Sequence, residues 1–499
     1  MDMEAIWTAF AIGIAAAVLL AFGRRQWRNG KPTQWPPSPP KLPIIGNMHQ
    51  ILKGCDPFHI ALNKLAQVYG PLITVWLGTR QPTIIVSDHD LAWEVLVSKS
   101  PDYAAREFPT LAKLVTADFR TIVSSNAGPH WHSLRRGLQN GAIGPLCISG
   151  QAPLQESDMA QMINDMIKEA SLNGGVVKPF PHIRRATIRL LARLCFGPDF
   201  SDEDFDGTMD VLVEDTMKYS DAARLVDAFP PTRFLPSIKR TIKQTEKLKL
   251  RIAECIGFHL TTPPPPNCYA HFLLSQSFPR EVAIFSIFEV FSLGLDSTGS
   301  TTLWALGLLV NNQEAQQKLY QEIRDHAICT DKGIVRVEEV GKLEYLQAVV
   351  KETMRLKPIA PLAVPHKAAR DTAWNGLHVA EGTTVMVNLY ALHYDPKVWD
   401  EQDRFNPDRF MESSKEFSGK RGKYSYLPFG AGMRACAGMD VGKLHLAFAV
   451  SNLVNAFHWS NAVEGEKPDL TEDLTFVLAM KTPLETRIVP RGILPGPTS

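Results

Sequence analysis

The apolar and polar positions divide the chain into stretches of different period. From Ala5 to Phe22 the residues are uncharged and apolar throughout, about the length of a helix that spans a bilayer. Asp2 and Glu4 precede this run and Arg24, Arg25, Arg28 and Lys31 follow it. That order argues against a cleaved signal and leaves the body of the chain in the cytosol. Trp35 to Pro43 is proline-rich, a stiff spacer. Beyond it, Ile73–Leu77 and Thr83–Val86 read as strands around a turn. Helical periods dominate from Gln151 to Leu260 and stop at Thr262–Pro266. Glu281 to Val310 predicts one long, mostly apolar helix, and short strands follow near Val385–Asn388 and Leu474–Leu478. The pattern predicts a mainly α fold with small β-sheets in three parts: an N-terminal transmembrane anchor with its basic flank (1–30), a proline-rich hinge (31–44) and one catalytic unit (45–499).

Composition narrows the classes. A chain of 499 residues, 45% hydrophobic, can bury a large core around a cofactor. Its net charge of +1 gives no electrostatic footprint for nucleic acid. Seven cysteines without C-x-x-C spacing point to reducing surroundings and away from disulfides or zinc.

One of those cysteines sits in Phe429-Gly430-Ala431-Gly432-Met433-Arg434-Ala435-Cys436-Ala437-Gly438. Glycines there let backbone approach a flat macrocycle and aim N–H groups at the sulfur, and Arg434 can pair with a propionate. This is a way to offer a thiolate to haem iron, and thiolate ligation favours oxygen activation. The bland alternative is a buried, inert cysteine. A dinucleotide fingerprint also matches Gly430, Gly432 and Ala435, but the acid expected some 20 residues on is missing near Asn455–Phe457. Distant partners favour haem. Glu352 and Arg355 lie at i, i+3 on an apolar helix, and Arg409 stands between Phe405 and Phe410, so a buried acid with two arginines makes a structural lock. Trp131 and Arg135, four apart on a predicted helix, aim an indole and a guanidinium at one point.

The long helix carries Leu293-Gly294-Leu295-Asp296-Ser297-Thr298. Glycine, acid and alcohol inside an apolar helix cost stability unless they have a function. In the functional reading a kink at Gly294 opens space for dioxygen, and Asp296 and Ser297 pass protons. In the bland one Ser297 bonds back to the i−4 carbonyl and Asp296 is paired structurally.

Taken together, these motifs, in this order and over nearly the whole chain, resemble the cytochrome P-450 superfamily. The resemblance implies that fold, haem b with Cys436 as the axial ligand of the iron, and Glu352, Arg355 and Arg409 as structural triad. It implies propionate contacts from Trp131, Arg135, His366 and Arg434, with Phe429 and Gly430 beside the haem. It further implies electrons from NADPH through a membrane-bound NADPH–cytochrome P-450 reductase, and an endoplasmic-reticulum membrane location facing the cytosol. Ser297 stands where threonine is commonest in the family, and Leu293 where a small residue is usual. With Val364-Pro365-His366-Lys367, Trp93–Ser100 and Met480–Glu485, these departures resemble the plant subfamily of canadine, stylopine and pluviatolide synthases. That subfamily closes methylenedioxy bridges from an aryl methoxy group and an ortho phenol. The implied substrate is a small aromatic alkaloid, lignan or feruloyl-type acid, held by Tyr103–Ser125, Phe291–Leu295, Ile359–Val364 and Phe476–Leu478. Two alternatives stay open: intramolecular phenol coupling, and a redox-silent haem-thiolate isomerase or dehydratase.

Overall fold

The computed structural model describes residues 35–492, apart from 54–55, 80–81, 201–204, 219, 375 and 412–423. The expected membrane anchor (1–30) and the start of the hinge lie outside the described residues.

The predicted long helix runs from Arg280 to Asn311 and is continuous through Gly294. It is apolar on all sides because it is surrounded on all sides. Among the described residues it alone is long and apolar enough to cross a membrane, yet most of it is buried inside the protein. Helices Pro179–Phe196, Pro236–His259 and Met439–Ala456 pack along it. One core on its flank gathers Leu303, Leu309, Val349, Leu453 and Trp459, and a second gathers Leu191, Leu212, Ile252, Phe288 and Leu295. The helix is therefore the spine that joins two cores.

A five-stranded sheet stands to one side, in the order Leu72–Val75, Thr83–Val86, Thr384–Val387, His366–Lys367, Ala105–Arg106. The first pair is antiparallel, as the turn between them requires, and Thr83–Val86 pairs in parallel with Thr384–Val387. At the far edge the register sets Arg106 opposite His366. The stretch expected as a strand at Leu474–Leu478 is instead a hairpin of Glu472–Leu474 with Leu478–Met480, so residues 475–477 form its tip. Trp304 Nε1 donates to the Leu478 carbonyl at 2.9 Å and the Leu478 N–H donates to the Ile359 carbonyl at 2.9 Å, which pins that tip between the long helix and the chain after Leu356.

Candidate functional site

Cys436 lies at the end of the glycine loop, three residues before the helix Met439–Ala456. Gly430 and Gly432 adopt φ of +65° and +67°, the left-handed region that glycine alone enters freely. The loop is closed by the Gly430 N–H on the Leu427 carbonyl and the Cys436 N–H on the Phe429 carbonyl, both at 2.9 Å. The thiol faces a cavity of about 1340 Å³. Cys436 is exposed and lines this cavity. Burial pushes its pKa up, opposed by the Gly438 N–H on the sulfur and by the Arg135 guanidinium.

Three arginines and a histidine share the cavity with the thiol. Arg106, Arg135, Arg434 and His366 all line the cavity, and among the described residues no carboxylate pairs with any of these three arginines. Arg434 donates to the carbonyls of Ala104 (2.8 Å), Ile122 (3.2 Å) and Ser125 (2.5 Å). Arg135 donates to the Ala435 carbonyl at 2.7 Å. Arg106 donates to the Val364 carbonyl at 2.6 Å, while its Nε is buried with no hydrogen-bond partner. Burial and the neighbouring guanidiniums push Arg106 down to about 9, and burial and Arg135 push Arg434 down to about 10. His366 Nδ1 meets the Tyr103 carbonyl at 2.7 Å; burial and Arg106 push its pKa down to about 3, so it is neutral at physiological pH.

Such crowding of positive charge is unfavourable until anions arrive. A cysteine facing the cavity with an N–H on its sulfur, three guanidiniums without carboxylates and a volume above the 300–1,000 Å³ usual for a ligand site together fit a haem with two propionates and an aromatic substrate beside it.

Trp131, expected at a propionate, also lines the cavity. Its indole N–H donates to the Ile122 carbonyl at 3.0 Å and its ring lies under Arg434, 4.6 Å from the guanidinium carbon. It supports the arginine and holds the 120–126 loop rather than offering a free donor.

Across the cavity the long helix contributes Leu293, Gly294, Ser297 and Thr298. Ser297 Oγ donates to the Leu293 carbonyl at 2.6 Å, the i−4 bond of the bland reading. Asp296 does not line the cavity with Ser297: its carboxylate pairs with Arg184, which also pairs with Asp210. Burial pushes Asp296 up and Arg184 pulls it back. Gly294 marks close packing instead of a break, since a Cβ there would stand 3.2 Å from both Leu191 methyls.

Away from the cavity the structural lock is formed. Glu352 accepts from Arg355 Nε (2.7 Å) and Nη2 (2.9 Å), from Arg409 Nε (3.1 Å) and from the Asn406 N–H (3.0 Å). Arg355 donates onward to the carbonyls of His393 and Gln402.

The four segments expected at the substrate all reach the cavity wall, through Val123, Leu293, Leu362 and Phe476 among others. Leu478 stays behind the tip. Sequence reasoning missed the place of Arg106, inside an expected segment, in the cation cluster, and missed Glu289 altogether. Arg106 is brought to the cluster by strand pairing across more than 250 positions, a contact without a local signal. Glu289 also lines the cavity, and an acid inside an apolar helix, the signal that singled out Asp296, was present for it too.

Comparison with known proteins completes the picture. The family model of cytochrome P-450 matches residues 36–486. Piperic acid synthase of Piper nigrum is 53% identical over 93% of this chain and 92% of its own length. (S)-Canadine synthase of Coptis japonica is 51% identical over 92% and 93%, and pluviatolide synthase of Podophyllum peltatum 45% over 99% of each. A solved zebra fish cytochrome P-450 with abiraterone, 25% identical, superposes with a TM-score of 0.70 over 87% of this chain and 100% of its own.

Proposed function

The chain belongs to the cytochrome P-450 family, and from that premise we propose that it closes a methylenedioxy bridge on a plant aromatic carrying a methoxy group ortho to a phenol. As a family member it is a haem-dependent oxidoreductase fed with electrons. Piperic acid, canadine and pluviatolide, the compounds in its relatives' names, each carry a methylenedioxy ring, which supports the finer reading. The observation that carries it is a single cavity where the Cys436 thiol, the cation cluster and an apolar wall of Val123, Leu293, Leu362 and Phe476 meet.

Cys436 would ligate haem b, which when bound would supply the oxidation that removes hydrogen from the methoxy carbon. Arg106, Arg135, Arg434 and His366 would hold its propionates, and the Gly438 N–H would temper the sulfur's basicity. The apolar wall orients a flat ring so that the phenol oxygen lies next to the activated carbon, a positioning task. Leu293 lines the same cavity as the thiol and would limit the room beside the oxygen site. Ser297 hands protons inward by turning its hydroxyl from the Leu293 carbonyl, and Asp296 supplies them once its pair with Arg184 opens. The substrate loses two hydrogens and gains no oxygen. Electrons come from NADPH through a membrane-bound NADPH–cytochrome P-450 reductase. The apolar run Ala5–Phe22 and its basic flank support a single anchor in the endoplasmic-reticulum membrane with the catalytic unit in the cytosol.

The test supplies reductase, NADPH and three substrate classes: a tetrahydroprotoberberine, a lignan such as matairesinol, and a feruloyl-type acid. Mass spectrometry reads loss of two hydrogens, and NMR reads loss of the methoxy signal, which phenol coupling would leave in place. A proper ferrous–carbon monoxide spectrum with no ring closure on any of them sinks the proposal. Cys436→Ser must abolish the thiolate signature of that spectrum.

A further inference from the structure

Glu289 is a buried acid that the reaction above does not use. It lies eight residues before Ser297 on the same helix, about 12 Å along the axis, and lines the same cavity. It is 9% exposed. Both carboxylate oxygens stand 3.1 Å from the Val123 N–H, and the Thr121 hydroxyl also reaches it. Among the described residues one other carboxylate, Glu107, lines the cavity, and it pairs with Lys367 at 2.5 Å. Glu289 forms no ion pair among the described residues. The nearest cation, Arg434, directs its nitrogens to the carbonyls of Ala104, Ile122 and Ser125. Among the described residues every group bonded to Glu289 is thus a neutral donor.

The simple account makes Glu289 a fastener for the 120–126 loop. That explains an acceptor but not a charge, because a glutamine oxygen would take the Val123 N–H without the penalty of burying a carboxylate. The penalty is visible here: burial pushes Glu289 up to about 7 against the pull of Thr121 and the 122–123 backbone. A buried acid with no ion pair, reached by Arg434 only through space, is stabilised further by a cation that enters the cavity and pairs with it directly. Among the groups the substrate can bring, a protonated amine fits; a carboxylate is repelled and a neutral lignan gains nothing.

Resting on the reaction proposed above, we propose that Glu289 recognises a protonated amine of the substrate, which makes the preferred substrate a nitrogen base such as a tetrahydroprotoberberine. The test compares a tetrahydroprotoberberine with its neutral lactam of the same shape, in titrations of the haem-loaded enzyme read by the haem spectrum and by calorimetry. Wild type binds the amine more tightly than the lactam. Glu289→Gln loses roughly 10- to 100-fold in amine affinity, the scale of one hydrogen bond to a charged group, and leaves the lactam within about 2-fold. Glu289→Asp keeps the amine preference. Equal losses for amine and lactam would mark a loop fastener and overturn the proposal. So would unchanged amine affinity in Glu289→Gln, or a feruloyl-type acid or matairesinol binding wild type more tightly than the amine. If Glu289→Gln fails to fold, the wild-type comparison and Glu289→Asp decide. Binding is read without turnover, so amine recognition without ring closure overturns the reaction alone, and ring closure confined to the acid or the lignan overturns the recognition alone.

Discussion

Gly432→Ala separates the backbone's demands on the cysteine loop from simple loss of glycine freedom. At φ +67°, alanine costs about 1–2 kcal/mol for the left-handed conformation. Its Cβ would also stand 1.7 Å from the Leu96 carbonyl oxygen and 2.8 Å from the carbon, where real Cβ contacts stop near 3.0 Å, so the backbones must part by about 1.3 Å. Leu96 is buried and its carbonyl belongs to the turn Glu94–Ser98, so no flexible tip can yield and the loop itself must move. That movement pulls the Met433 N–H from Ser100 Oγ (3.1 Å), a bond worth about 0.5–1.5 kcal/mol net. Destabilisation is expected on the order of 3 kcal/mol, with Cys436 displaced toward the ångström scale at which positioning losses reach about 100-fold. Gly376→Ala is the control: φ is +81° but nothing lies within 4 Å, so only about 1–2 kcal/mol is expected, with normal haem content. Urea unfolding, haem per polypeptide and the ferrous–carbon monoxide spectrum read the difference. Equal unfolding midpoints and full haem in both variants would refute the close-approach argument.

Glu352→Gln leaves Arg355 and Arg409 buried against a neutral group and should cost about 3–5 kcal/mol in urea unfolding; a change below about 1 kcal/mol would show that the lock is not electrostatic. Arg184→Gln should strip Asp296 of its cation, lowering stability by about 3 kcal/mol at neutral pH. That loss should shrink on acidification as Asp296 takes a proton, and a pH-independent loss would count against the pairing. Glu289 gives a signed pH effect. Its folded pKa of about 7 exceeds the ordinary 4.5, so the proton favours the folded state. The resulting stability is fully present below pH 4.5 and is lost as pH rises through 7, by up to about 3 kcal/mol. The groups facing Glu289 are Thr121 and the Val123 N–H from the loop, Arg434 from the cysteine loop and Tyr269 from the helix Tyr269–Ser275. Unfolding midpoints of wild type minus Glu289→Gln across pH 4–8 should trace that window, and a flat difference would contradict it.

By itself the sequence determined what local chemistry can express. Apolar residues on every face between Glu281 and Val310 meant a helix with protein all round it, and Arg280–Asn311 bears that out. The i, i+3 spacing of Glu352 and Arg355 made them helix neighbours, and the aromatics around Arg409 marked it for burial beside them. The glycine-rich loop was expected to aim an N–H at the cysteine sulfur, and the Gly438 N–H does so. What only the tertiary structure decided was where each polar atom finds its partner. The indole of Trp131 turned to Ile122, Asp296 to Arg184, Arg106 to the edge opposite His366, and Glu289 to Val123. In each case the choice lies between partners up to hundreds of residues apart, and the packing of helices and strands fixes it. Periodicity gives a side chain its face; the cavity's charge balance, and with it the case for an amine, exists only once those faces meet.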